Sequence, residues 1–324
     1  MGVRKKIKSR FSMIQENYKK DGEFSRQLQR SRMLRDAAVR LPIIGAVSEK
    51  AGIKVNSEIK RILSEFFEDD ATLQEKTSDG RYVENAPIWV CWLQGEEDAP
   101  TLVKNCLRSI YAHAAGHPLN LITKDTYRNY VAVPKIIEEK YRAGQIQPAL
   151  FTDYLRMKLI AEHGGFWIDA TIYQTAPLPE TYWKYPFFSA KSTGVKTTYV
   201  SEMRWTTFFL GGWAECCFYE LMVYCLEKYW SVHKYAVDYL LTDYLMDYLY
   251  EISPAVKKLV DQVPDNNPLR DDLYAHFPDA FDEQTLQEFE SSATVIHKLS
   301  WRERRLLETA AGEPTFEKYF WTID

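Results

Sequence analysis

The spacing of apolar and polar positions changes along the chain in a way that predicts an α/β fold. Residues 148–173 show it most clearly. Leu150, Tyr154, Leu155, Met157, Leu159 and Ile160 recur near a spacing of 3.6, so a helix with one buried side is expected. Gly164-Gly165 should stop it, because glycine takes a left-handed C-cap conformation without steric cost. Phe166-Trp167-Ile168 then predicts a short buried strand, and Asp169 follows at its carboxyl end. Open α/β sheets bind ligands at such strand ends.

The same reading extends outward. An unbroken apolar run over 88–93, between Pro87 and Gly95, predicts a strand buried on both faces, as in a parallel sheet. A helix over 99–115 and a strand over 119–123 complete a right-handed crossover unit. A helix is expected over 134–141, strands over 187–190 and 206–210, helices over 214–230 and 235–251, and a late strand over 294–297. Residues 214–262 thus read as a helical insertion in an α/β domain.

The amino-terminal part is expected to be helical. Val3, Ile7, Phe11, Ile14 and Tyr18 make one apolar stripe over 3–20. A second helix should run over 24–39 and end or kink at Pro42, since proline removes a donor and clashes with the preceding turn. Asn56 is a plausible N-cap for a third helix that buries Ile59, Ile62, Leu63, Phe66 and Phe67. A polar connection over 68–80 places a boundary near residue 80, giving a basic helical region over 1–80 and a main domain over 81–324.

Charge sharpens this division. The first forty residues hold twelve Lys/Arg against four Asp/Glu, while the whole chain carries −4, so the remainder is acidic. A basic amphipathic arm either lies in the headgroup layer of an anionic membrane or packs on its own domain with solvated lysines. The acidic body and the lack of interleaved stacking aromatics argue against nucleic acid as a partner. No run of signal-peptide length follows the basic start, and no apolar stretch reaches the ~18 residues needed to span a bilayer. Five cysteines without a framework fit a reducing compartment.

Thr152-Asp153-Tyr154-Leu155-Arg156, Gly164-Gly165 and Asp169-Ala170-Thr171 together resemble the nucleotide-sugar core of the capsular polysaccharide synthesis family. That family resembles glycosyltransferase family 32, whose pattern is Ser-Asp-x-x-Arg, Gly-Gly, Asp-x-Asp. The likeness extends to Ile88–Gly95 and to Val295-Ile296-His297-Lys298-Leu299. It departs at Thr171, where Asp-x-Asp has its second carboxylate; Asp-Ala-Thr is frequent in the capsular subgroup.

The resemblance implies a GT-A-like, Rossmann-type domain. It also implies a metal-dependent, retaining hexosyltransferase that moves a sugar from a UDP-sugar to a capsular or other cell-surface polysaccharide acceptor, lipid-linked. In this reading Asp169, Thr171 and His297 hold Mn²⁺ or Mg²⁺. Asp153 takes ribose or sugar hydroxyls, and Arg156 takes the sugar or diphosphate. Trp92 stacks on uracil with Gln94 and Gly95 beside it, and Trp301 shapes the acceptor side. Asp243, an acid among aromatics, is a candidate for contacting the acceptor or stabilising an oxocarbenium-like charge, or else a solvated surface residue. The expected location is cytoplasmic, peripheral on the inner membrane face through residues 1–40. The competing reading is a degenerate transferase fold that scaffolds polysaccharide assembly.

Overall fold

The computed structural model describes residues 18–39, 45–192, 199–302 and 306–322. Its centre is a five-stranded sheet of β1 (Ile88–Cys91), β2 (Leu119–Ile122), β3 (Gly165–Ile168), β5 (Phe187–Ser189) and β6 (Phe209–Gly212), in the order β2-β1-β3-β6-β5. β1 pairs in parallel with β2 and β3, whereas β6 runs antiparallel to both β3 and β5. Four strands therefore share one direction. β4 (Ile172–Gln174) and β7 (Ile296–Lys298) form a separate antiparallel ribbon. The expected α/β class holds.

Helix α3 (Thr101–Ala112) connects β1 to β2, and α4 (Lys135–Arg142) precedes α5 (Pro148–His163), which feeds β3. The helical insertion is α6 (Cys217–Val232), α7 (Leu241–Ile252) and α8 (Pro254–Asp261). Helix α5 is buried on more than the one face the spacing implied: Phe151, Arg156 and Ala161 are also buried. It is packed between the sheet and the insertion. Each buried Leu, Ile, Met or Phe of this helix contributes roughly 1.5–3 kcal/mol.

Several boundaries differ from expectation, for identifiable reasons. Gly164 has φ 68° and ψ −166°, outside the left-handed helical region but still a glycine conformation. Gly165 belongs to β3 itself, with φ 98°, and a Cβ there would lie 2.0 Å from the Pro87 carbonyl oxygen. The strand expected over 206–210 is displaced to Phe209–Gly212. Its Gly211 sits against the Phe166 ring, leaving no room for a side chain. The helix expected from 235 begins at Leu241. Tyr229 holds the preceding segment as a loop, accepting from the Val237 N–H at 2.7 Å and donating to the Tyr235 carbonyl at 2.9 Å. Asn56 is not an N-cap. It lies within the long helix α2 (Gly45–Phe67), where its Oδ1 accepts from the Tyr244 hydroxyl at 2.6 Å.

Residues 18–24 are helical, and α1 (Arg26–Val39) follows after a break at Ser25. Leu28, Val55, Ile59, Leu63 and Phe67 join the same hydrophobic core as the sheet. Arg32 secures this attachment, donating to Asp238 at 2.7 Å and pairing with buried Asp21 at 3.0 Å. Burial pushes the Asp21 carboxyl up to about 6, against the pull of Arg32. The stripe over 3–17 and Pro42 lie outside the described residues. Among the described residues, no helix is long and apolar enough to cross a membrane.

Candidate functional site

A cleft of about 560 Å³ opens where β1 and β3 end. Trp92, Gln94, Asp153, Arg156, Asp169, Thr171, Asp243 and Trp301 all line it. Eight predicted site residues, dispersed over the chain, thus meet in one place. Gly95 lies just past the lining in a turn, with its N–H donating to the Trp92 carbonyl at 2.9 Å. His297 is not part of the lining. It is fully buried, with Nδ1 3.3 Å from the Leu269 carbonyl and its ring edge-to-face with Phe289. Residues alternate sides along a strand, and it is the neighbouring Lys298 that lines the cleft.

The floor is a chain of alternating charges. Arg156 Nη1 donates to Asp153 Oδ1 at 2.7 Å, and Nη2 donates to Asp169 Oδ1 at 3.2 Å. Trp167 Nε1 donates to the same Asp169 oxygen at 2.9 Å. Trp167 and Asp169 are two residues apart on an extended chain and so share a side. The guanidinium also lies 4.8 Å from the centroid of the Trp167 ring, a cation–π distance. On the far side, Lys298 Nζ is 3.7 Å from Asp169 Oδ2 and donates to the Thr171 hydroxyl. Arg156 is only 5% exposed, so this is no ordinary surface ion pair. Removing one partner from such a pair leaves the other charge uncompensated, at a cost of roughly 3–5 kcal/mol.

Asp169 and Thr171 lie on a turn rather than on an extended segment. The Ile172 N–H donates to the Asp169 carbonyl at 2.9 Å, closing a turn that leads into β4. β4 pairs with β7, with Ile172 opposite Lys298, and the Leu299 N–H donates to the Thr171 carbonyl at 2.9 Å. That ribbon is what delivers Lys298 to the turn.

The wall opposite comes from α7. Thr242 donates to Asp153 Oδ2 at 3.0 Å, and buried Trp205 donates through Nε1 to Asp243 Oδ1 at 3.1 Å. Burial, and then the nearby Asp153 carboxylate, push the Asp243 carboxyl up from 3.8 to about 6. Burial likewise raises Asp153, with Arg156 acting against it. Trp92 and Trp301 meet edge-to-face at 5.5 Å between centroids, framing the mouth. Trp89, on the other face of β1, is a core residue bonded to the Gly164 carbonyl at 2.9 Å.

Sequence reasoning missed Lys298, Trp167, Thr242 and Trp205. The i, i+2 relation to Asp169 was a signal for Trp167. Lys298 lay within the matched motif beside His297 but was not singled out, and nothing local marked Thr242 or Trp205, because each acts across a tertiary contact.

The expected divalent cation would have to bind this donor set. Asp169 Oδ1 already accepts two hydrogen bonds, Oδ2 faces an ammonium, and that ammonium also occupies the Thr171 hydroxyl. His297 is directed elsewhere. Among the described residues, no three His, Cys, Asp or Glu side chains cluster as a metal site. Mg²⁺ and Mn²⁺ favour anionic oxygen ligands. The three residues expected to hold the ion therefore do not come together as its ligands: His297 stands apart, and Asp169 and Thr171 are engaged by Arg156, Trp167 and Lys298.

Fold and cleft define a class: a mixed α/β protein with a charge-linked polar cleft at the carboxyl ends of parallel strands. The chain belongs to the capsular polysaccharide synthesis protein family, whose model matches residues 43–318. The resemblance to that family drawn from the motifs is borne out, and membership points to a part in capsular polysaccharide synthesis. Comparison with curated proteins and with solved structures finds no match.

Proposed function

We propose that the protein is a glycosyltransferase of GT-A type that transfers a sugar from a UDP-sugar to a capsular polysaccharide acceptor at the cytoplasmic membrane face. The observation that carries this reading is the convergence of Trp92 and Asp169, at the ends of β1 and β3, with Asp153 and Arg156 from α5. An aromatic face, a carboxylate, a planar cation and a second carboxylate are the groups a nucleotide sugar requires. Trp92 offers a surface for a base. Asp153 accepts from vicinal hydroxyls, and Arg156 forks onto phosphate oxygens. Asp243 stands across the cleft, where a carboxylate stabilises positive charge developing at the sugar ring. The resemblance to glycosyltransferase family 32 adds retention of anomeric configuration to the proposal.

The test is incubation of the purified protein with a panel of UDP-sugars and a capsular oligosaccharide acceptor, reading UDP release, with product configuration from NMR coupling constants. Turnover of one donor supports the reading. Folded protein that binds no UDP-sugar removes it. A second reading, a non-catalytic assembly scaffold, is favoured by the internal engagement of Asp169 by Arg156, Trp167 and Lys298. Donor binding without turnover under any acceptor would favour it.

A further inference from the structure

We propose that the ammonium of Lys298, together with the Arg156 guanidinium, takes the place of a divalent cation at this site and neutralises the diphosphate of the donor. The proposal rests on the nucleotide-sugar reading above. Lys298 contacts both residues of the Asp-Ala-Thr turn: it donates to the Thr171 hydroxyl and lies 3.7 Å from Asp169 Oδ2. These partners are 127 residues apart in sequence for Thr171, and only the β4–β7 pairing joins them. Threonine at 171 matters here. A second carboxylate would leave the turn anionic enough to recruit a dication, whereas a hydroxyl accepts from an ammonium without competing for its charge. Arg156 and Lys298 flank Asp169 from its two oxygens, with Asp153 on the other side of Arg156, so both cations stand at the turn. A dication at Asp169 would have to displace these cations, whereas a diphosphate would take over the cations from the carboxylates that now hold them, against the opposing charge of Asp153 and Asp169.

Lys298 is also free enough to act. Its side chain is 28% exposed, and its ammonium passes 5.6 Å from the Phe208 ring centroid at the cleft. Turning from Thr171 to a phosphate oxygen keeps a charged donor and exchanges a neutral acceptor for an anionic one, which adds direct Coulomb attraction. In the transfer, the bond between the anomeric carbon and the β-phosphate oxygen breaks, and its electron pair stays on that oxygen. The anomeric carbon bonds the acceptor hydroxyl oxygen, and the hydroxyl proton passes to the departing diphosphate. Lys298 and Arg156 meet the negative charge that grows on the leaving group.

Calorimetric titration of the full chain with UDP, GDP, CDP and ADP, each in EDTA and each with excess Mn²⁺, tests this, with the matching nucleosides as controls. One diphosphate should bind with affinities agreeing within about threefold in the two buffers, and Lys298→Ala should weaken it by about tenfold or more, ~1.4 kcal/mol. Nucleoside affinity should be unchanged in Lys298→Ala, and Lys298→Arg should retain most of the diphosphate affinity. Wild-type binding that occurs only with Mn²⁺ overturns the proposal, as does a Lys298→Ala variant that binds like wild type. If the folded wild type binds no diphosphate in either buffer, the nucleotide-sugar reading itself falls and takes this proposal with it.

Discussion

Arg156 is the residue on which the cleft's charges depend, and its shape matters as much as its charge. It donates in two directions, to Asp153 at 2.7 Å and to Asp169 at 3.2 Å, while its plane lies over Trp167. A lysine keeps the charge but presents a single point, so it can satisfy only one carboxylate. Arg156→Lys should therefore lower kcat/KM for donor turnover by about tenfold or more, ~1.4 kcal/mol of barrier. Full activity in that variant would mean that the fork is not used. Asp243 supports a second residue-scale prediction, on pH. Its carboxyl is raised from 3.8 to about 6, so the folded state holds a proton that the unfolded state releases. The ionised form is then disfavoured by the fold, and stability is lost as pH rises from about 4 through 6. Asp243→Asn removes that penalty while retaining an oxygen for Trp205. The variant should melt higher than wild type above pH 6, and the gain should vanish below about 4. Asp21, also raised to about 6, is common to both proteins and cancels in the difference. Turnover, if it needs the Asp243 carboxylate, should show an acid limb near 6 in wild type. A melting difference that is the same at every pH would refute the assignment.

At the scale of elements, the junction between α5 and β3 sets the site's geometry. Helix α5 carries Asp153 and Arg156, β3 ends at Asp169, and the chain must reverse between them at Gly164-Gly165. Gly165 has φ 98°, and its missing Cβ lets β3 approach Pro87 beside β1. The Phe166 N–H donates to the Pro87 carbonyl at 2.9 Å across this close contact. Gly165→Ala must strain the backbone and also displace a carbonyl 2.0 Å away. Gly144 is a matched control, with φ 70° and open space around it. Its alanine variant should lose only about 1 kcal/mol in urea unfolding, while Gly165→Ala should lose several-fold more. Equal losses would show that the approach of β3 to Pro87 is not the constraint. The β4–β7 ribbon is the second decisive element. Three residue pairs suffice to place Lys298 at the Thr171 turn and to turn His297 into the core beside Phe289.

The whole molecule combines an acidic body with a basic amino terminus. Part of that basic surplus is used internally, since Arg32 pairs with Asp21 and Asp238 and holds α1 to the helical insertion. A deletion of residues 1–40 would remove Arg32 and Asp21 and break this packing, whereas removal of residues 1–17 retains both. We propose that residues 1–17, with Arg4, Lys5, Lys6, Lys8 and Arg10 beside Val3, Ile7, Phe11 and Ile14, attach the protein to anionic lipid. Each basic group near such a surface contributes roughly 1 kcal/mol. Full-length protein should co-sediment with phosphatidylglycerol vesicles at low salt, and less at ~1 M, where screening reaches only a few ångströms. The form lacking residues 1–17 should stay in solution; equal binding by both forms would rule the arm out as the anchor. By itself the sequence determined the α/β class, the order of the main helices and strands apart from β4, and the segments that bring Trp92, Asp153, Arg156, Asp169 and Trp301 to one cleft. Periodicity is local, and a strand end or a helix face is decided by neighbours a few residues away. Only the tertiary structure decided that Gly211-Gly212 belong to a strand, because the reason is the Phe166 ring packed against Gly211. It alone decided that Asn56 serves Tyr244 within a helix rather than starting one. It also decided that Lys298, and not His297, meets Asp169 and Thr171. That choice rests on the register of β4 against β7, which shifts every side chain to the opposite face when it slips by one residue.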